Sequence, residues 1–251
     1  MKLEYVMTSC NLNKLYTDFI PIFVRSWKKL IPEIKIVIVL ISDKIPDEYL
    51  EYSEHIRLFQ PITGVSDSFI SQYIRNLYPC ILNSNGGVLI TDMDMLPLNS
   101  NFYLENIEKY DNKFIYYRGN LKLHNEYSMC YNVALSETWK DIFKIEEEDD
   151  ITNRLKEVFS SLRHSEGHGA EGWNKDQLDL YTYINKWDKK EESFITLSDR
   201  RTGFQRLCRS RFSILNRKIE RSIIKGKFSD YHALRPYMKY KETNDRIIDL
   251  I

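Results

Sequence analysis

The residues best placed by type and spacing to do chemistry are Asp92 and Asp94, in the run Val88-Leu89-Ile90-Thr91-Asp92-Met93-Asp94-Met95-Leu96-Pro97. An apolar strand leads straight into two carboxylates two positions apart. If extended backbone continues through them, both side chains leave the same face. Two carboxylates about 4 Å apart repel by about 4 kcal/mol at an effective dielectric near 20. Solvation, protonation of one group, or a cation between them relieves that repulsion. Oxygen ligands suit Mg²⁺ or Mn²⁺, and the carboxyl end of a central parallel strand is where α/β sheets bind ligands. An acidic turn that merely ends the strand is the plain structural alternative. A second segment, Tyr231-His232-Ala233-Leu234-Arg235-Pro236-Tyr237, carries an imidazole and a guanidinium. A neutral imidazole can complete a site begun by two carboxylates, and Arg can hold phosphate oxygens bidentately.

The elements that must position these groups alternate in the first half of the chain. Leu3 to Thr8 reads as a strand, and Leu12 to Leu30 as a helix with Leu15, Phe19, Phe23 and Trp27 on one face. Lys35 to Ser42 is a continuous β-branched run, as a strand buried on both faces requires. Pro46 opens a short helix, Ile56 to Ile62 reads as a third strand, and Ser68 to Leu82 as a helix that Pro79 bends or ends. Gly86-Gly87 breaks the chain before the strand Val88 to Thr91. This alternation predicts an α/β fold around a mostly parallel sheet. Downstream, Lys113 to Tyr117 and Met129 to Leu135 read as strands. Helices are predicted over Ser136 to Phe143 (capped by Ser136), Thr152 to Leu162, Asn174 to Trp187 and Arg206 to Phe228. The acidic run Glu146 to Asp150 reads as a solvated loop between helices. No repeat or linker is visible, so residues 1–251 read as a single domain.

Asp-x-Asp after an apolar strand, preceded by Gly-Gly, resembles the metal-binding motif of nucleotide-sugar glycosyltransferases of the GT-A fold, of the glycogenin-like and capsular-polysaccharide type. Those enzymes often carry an Arg on the helix upstream, a place that Arg75 takes here with a longer spacing to the glycines. Tyr231 to Tyr237 resembles their C-terminal His-x-x-x-Lys-Pro-Trp segment, one residue shorter and with Arg for Lys. Gly172-Trp173-Asn174-Lys175-Asp176-Gln177-Leu178 resembles the helix start that sets an acidic residue beside the reacting sugar. The resemblance implies a GT-A (Rossmann-like) fold with a nucleotide-binding half, 1–98, and an acceptor-binding half, 99–251. It implies Mn²⁺ or Mg²⁺ on Asp92, Asp94 and His232, with a nucleoside-diphosphate sugar as donor, UDP favoured by family frequency. Thr8, Ser9 and Asn11 would meet the nucleotide, and Arg75, Asp92 and Arg235 the donor. Asp176 would be the general base or would hydrogen-bond sugar hydroxyls, with Glu171 as its rival. The acceptor would be a saccharide or other hydroxyl compound. A plain reading of Asp176, a carboxylate favoured by a helix dipole, stands beside this one.

Composition bounds the alternatives. Lys and Arg number 36, as do Asp and Glu, so the chain as a whole has no electrostatic case for nucleic acid. Yet residues 200–241 hold thirteen basic and two acidic residues, net +11, leaving −11 elsewhere. That segment, read as a helix with an apolar stripe of Cys208, Phe212, Leu215, Ile219 and Ile223, either packs on the catalytic fold or contacts a membrane surface. The four cysteines lie far apart without zinc spacing and read as buried, reduced thiols. No signal-like or membrane-spanning run and no Asn-x-Ser/Thr site occurs, so a cytoplasmic protein, with or without membrane-surface contact, is expected. Two rival readings remain. A haloacid-dehalogenase-like phosphohydrolase would use Asp92 as nucleophile, but that motif normally lies near the N-terminus. A non-catalytic carbohydrate-binding domain is the other.

Overall fold

The computed structural model describes residues 1–121, 124–165, 167, 169–209 and 216–251. Its strands are β1 (Leu3–Asn11), β2 (Lys35–Ile41), β3 (Ile56–Phe59), β4 (Gly87–Ile90), β5 (Met95–Pro97), β6 (Phe114–Tyr116), β7 (Asn132–Ala134), β8 (Phe194–Thr196), β9 (Arg206–Cys208) and β10 (Asp230–His232). The α-helices are α1 (Lys14–Thr17), α2 (Ile20–Leu30), α3 (Asp67–Tyr73), α4 (Ser100–Leu104), α5 (Ser136–Phe143), α6 (Glu148–Ser160), α7 (Lys175–Lys186), α8 (Lys190–Ser193), α9 (Asp199–Thr202), α10 (Arg217–Ile224) and α11 (Lys241–Asp249).

Seven strands form one sheet in the order β3-β2-β1-β4-β7-β6-β8. Its pairs are parallel except β4 with β7 and β6 with β7. The predicted mixed α/β class with a mostly parallel central sheet is what the chain adopts. The alternation within β2 shows why. Ile36, Ile38 and Leu40 enter the apolar cluster on one face, while Val37, Val39 and Ile41 enter the cluster on the other. Helix α2 covers the first face with Phe23 and Trp27, and α3 covers the second with Phe69 and Ile70. Both faces are thereby dry, as a parallel sheet requires.

Gly86 and Gly87 let β4 start hard against β1. A Cβ on Gly86 would lie 2.7 Å from both the Glu4 Cβ and the Lys2 carbonyl, and one on Gly87 would lie 2.8 Å from Val133. A second sheet, β5-β10-β9, joins a strand from before residue 98 to two from the C-terminal part of the chain. Three-residue strands show no usable periodicity, so sequence reading did not anticipate this sheet.

Several local expectations change. The 12–30 helix is two helices, α1 and α2, with Pro21 in the first turn of α2. The 68–82 helix is α3 followed by two 3₁₀ turns, Ile74–Asn76 and Tyr78–Ile81. Ser136 is the first helical residue of α5 rather than its cap, and its hydroxyl accepts the Ser84 N–H at 3.2 Å. The acidic run is not a loop throughout. Glu147 and Asp150 form the capping box of α6, where negative charge favours the helix start. The predicted helix over 206–228 is β9 and α10 instead, and its positions 210–215, with Arg211, Phe212 and Leu215, lie outside the described residues.

Candidate active site

Strand β4 ends at Ile90, and the chain turns before β5, with the Met95 N–H donating to the Asp92 carbonyl at 3.1 Å. Strand geometry therefore does not continue through Asp92 and Asp94. The expected same-face pair is split by the turn, which gives each carboxylate its own set of cations. This is the main departure of the site from its sequence reading, and it relieves the repulsion that extended backbone would impose.

Asp92 faces Arg75. Its Oδ1 pairs with Arg75 Nη1, and its Oδ2 accepts from the Cys130 thiol. Arg75 is only 8% exposed, and its second arm reaches Asp176 Oδ2 at 3.0 Å. A buried guanidinium thus ties the β4–β5 turn to the first turn of α7. The two carboxylates hold Arg75 charged, against the pull of its own burial. Asp176 is buried as well, with its Oδ1 accepting the Gln177 N–H at 2.9 Å and its carbonyl accepting from Asn76 Nδ2 at 2.9 Å. Burial drives its pKa up to about 6, helped by the Asp92 charge and opposed by Arg75. A carboxyl poised there can hold or accept a proton near neutral pH.

Asp94 is the centre of the other half. Its Oδ2 receives Arg209 Nη1 at 2.7 Å and Arg235 Nε at 3.2 Å, and His232 Nε2 lies 3.5 Å away. Burial opposes its ionisation, but His232, Arg235 and Arg209 together overcome that and bring its pKa down to about 2. Asp94 is therefore an anion at any ordinary pH. Its neighbours reach it through the small sheet. His232 ends β10, and Arg209 follows β9. The loop after His232 is held from beneath by Asn244 of α11. Asn244 Oδ1 accepts from the Tyr231 hydroxyl at 2.6 Å and the Leu234 N–H at 3.2 Å, and its amide donates to the Leu234 carbonyl at 3.0 Å. Arg235 also reaches the Tyr16 hydroxyl at 3.4 Å.

The structure thus gathers Arg75, Asp92 and Asp176 in one set and Asp94, His232 and Arg235 in another, joined by the β4–β5 turn. Among the described residues no three His, Cys, Asp or Glu side chains close on a common point. Asp94 and His232 meet, whereas Asp92 is turned to Arg75. Thr8 lies fully buried within β1 with its hydroxyl unpartnered, Ser9 donates to the Ser71 carbonyl, and Asn11 ends the strand half-buried. Glu171 is exposed and lines a separate cleft with Arg163, Asn174 and Lys175. Sequence reading missed Arg209, Cys130 and Asn76. Arg209 lay within a segment read as amphipathic helix, and nothing in its neighbours marks it. None of the four cysteines forms a disulfide; Cys10, Cys80 and Cys130 are buried and Cys208 is half-buried.

No protein-family model matches the chain, and no curated protein matches it by sequence. Solved structures do resemble it. An active-site mutant of the galactosyltransferase LgtC aligns over 98% of this chain and 94% of its own, with a TM-score of 0.51 at 10% identity. The apo form of the glycosyltransferase GlyE of Streptococcus pneumoniae aligns over 98% of this chain and 62% of its own, with a TM-score of 0.51 at 12% identity. For the bifunctional glycosyltransferase WbbM the figures are 98% and 50%, a TM-score of 0.52 and 9% identity. The chain accordingly has the α/β fold of these glycosyltransferases, a GT-A-like fold.

Proposed function

We propose that this chain transfers a sugar from a nucleoside-diphosphate sugar, with UDP favoured, to a saccharide or other hydroxyl acceptor. The observation that carries the reading is the pair of linked ion clusters after β4. One holds a carboxyl with a pKa near 6, and the other holds two arginines and a histidine around an ionised aspartate. The first suits a hydroxyl substrate and the second a diphosphate. The fold shared with LgtC, GlyE and WbbM supports the same class of reaction.

In this reading Arg209 and Arg235 exchange part of their hold on Asp94 for the donor's phosphate oxygens, stabilising charge as the diphosphate leaves. Arg75 positions Asp176, which accepts the proton of the incoming hydroxyl or hydrogen-bonds the transferred sugar. Glu171, five residues before, is the alternative base. Ser9 and Asn11, late in β1, and Thr8 beneath them, form the side toward the nucleotide. Residues 1–98 would serve the nucleotide and 99–251 the acceptor.

By donor type the set suits Mn²⁺ or Mg²⁺: an ionised buried carboxylate with an imidazole against it, and a second carboxylate two residues away that would have to turn from Arg75 to join them. Asp94, His232 and Asp92 would hold the ion. When bound, it supplies Lewis-acid charge neutralisation at the leaving diphosphate. A phosphohydrolase would need Asp92 as a free nucleophile, but its two oxygens face Arg75 and Cys130.

A panel of nucleotide sugars, assayed for nucleoside-diphosphate release with Mn²⁺ and with chelator, tests the proposal. Turnover of at least one donor, abolished by Asp94→Ala in a folded protein, is the expected result. Failure of every donor to bind or react overturns the transferase reading. Phosphomonoester hydrolysis lost in Asp92→Asn would put the phosphohydrolase in its place.

A further inference from the structure

We infer that the outer face of α10 docks on an anionic lipid surface. The helix places Arg217, Lys218, Arg221 and Ile224, with Lys225 just after it, within an arc of about 120° at 100° per residue. All five are exposed. None of the four cations has an acidic partner among the described residues. The acid of this helix, Glu220, borders the arc on the far side of Ile224 and is held by Arg246 of α11. The inner side is already occupied, since Ile223 is buried and Ile219 packs against the main apolar cluster. The sequence pattern of an apolar stripe opposite a basic face is thus divided by the tertiary structure. Of the apolar stripe, Ile219 and Ile223 go to the core, and the basic face of α10 is left outward.

Ile224 is what makes this face more than a solvated one. It is 62% exposed, one of the most exposed large apolar side chains among the described residues, and it stands at one edge of the basic arc, nearest Arg217 around the helix. A cationic face carrying one outward isoleucine matches an interface of acidic headgroups above acyl chain. The cations stay with the phosphates, and the isoleucine gains by leaving water. A nucleic-acid backbone would satisfy the cations but offers the isoleucine nothing. The patch does not follow from general basicity, because the whole chain is neutral. The contact is peripheral, as no helix among the described residues is long and apolar enough to cross a membrane. Helix α10 also lies in the connection from β9, which Arg209 follows, to β10, which His232 ends.

The test is co-sedimentation of the full chain with phosphatidylcholine vesicles, with and without phosphatidylglycerol, at low and physiological salt. Binding is expected on the anionic vesicles alone, weakening with salt. Each cation removed should weaken it about fivefold, so Arg217→Gln/Arg221→Gln should lose about 25-fold. Ile224→Ser should lose several-fold at unchanged charge. All these side chains are exposed, so the variants keep the fold, and unchanged circular dichroism melting confirms that. Absence of binding to anionic vesicles at low salt overturns the inference, as does equal binding by the double variant. Binding that Ile224→Ser leaves untouched and that duplex RNA displaces would assign the face to nucleic acid and overturn it equally.

Discussion

Arg75 is the residue on which the two halves of the chemistry turn. Its guanidinium is shared between Asp92 and Asp176, so removing it leaves two buried or half-buried carboxylates facing each other. Arg75→Gln should push the Asp176 pKa above its value of about 6 and lower kcat at pH 7 at least tenfold. The acid limb of the pH–rate profile should move upward with it, which stopped-flow or steady-state assays across pH 5–9 would reveal. Asp176 itself has a stability signature. Its folded pKa of about 6 lies above the ordinary 3.8, so the folded state binds this proton more tightly than the unfolded chain. That contribution is present below about pH 4 and is lost as pH rises through about 6. Asp176→Asn should therefore be inactive yet more stable than the parent above pH 6, by on the order of 2 kcal/mol, with no gain below pH 4. Arg75 keeps Asp92 as partner in that variant, so no buried charge is orphaned. Urea unfolding at pH 4 and pH 8 measures the difference. A gain at both pH values, or at neither, contradicts the assignment.

At the scale of elements, the site depends on two supports that touch no substrate. Asn244 of α11 is fully buried and holds three groups of the loop carrying His232 and Arg235. Asn244→Ala removes the hydrogen bonds from the Tyr231 hydroxyl and the Leu234 N–H and the one to the Leu234 carbonyl, and should destabilise by about 1–3 kcal/mol. It should also raise the donor KM more than it lowers kcat, which separates loop positioning from a uniform loss of fold. Gly86 is the second support. A methyl there meets the Lys2 carbonyl, just before β1, and the Glu4 Cβ, each at 2.7 Å, so Gly86→Ala should destabilise by about 1–3 kcal/mol and weaken the β1–β4 pairing that sets the Asp92 turn. Hydrogen exchange at Val88 and Leu89 would report that loosening. Equal protection in the variant would show that β4 shifts without loss.

For the whole molecule, the prediction concerns linkage between ligand and fold. Donor and metal binding only the folded state should stabilise it by about 2.7 kcal/mol at a hundredfold excess over Kd. In a chain of this size that is a rise in Tm of about 5–10 °C. UDP with Mn²⁺ should give the full shift, and chelator should remove most of it. Asp94→Ala should abolish the metal-dependent part. An equal shift with UDP and chelator would mean that Arg209 and Arg235 hold the diphosphate without an ion. The sites are distributed so that this coupling reaches both sheets, since Asp94 lies between β4 of the large sheet and β5 of the small one, while His232 ends β10 and Arg209 follows β9.

What the sequence alone determined is the part governed by local rules. Period-two burial in β2, helical spacing in α2, α5 and α7, and glycines before β4 fixed the α/β class and most of the large sheet. Residue type marked Asp92, Asp94, Asp176, His232 and Arg235 as chemistry. The grouping of those residues was decided only in three dimensions. Whether Asp92 and Asp94 share a face depends on a turn closed by one backbone hydrogen bond, and a period rule cannot see where a strand stops. The pairing of Arg75 with Asp176 spans 101 residues, and that of Arg209 with Asp94 spans 115. Contacts of that range carry no sequence period, because they are set by how β9 and β10 assemble beside β5 and how α7 packs on α3 and α5. The small sheet was illegible for the same reason: three-residue strands are stabilised by neighbours from distant chain, not by a pattern of their own.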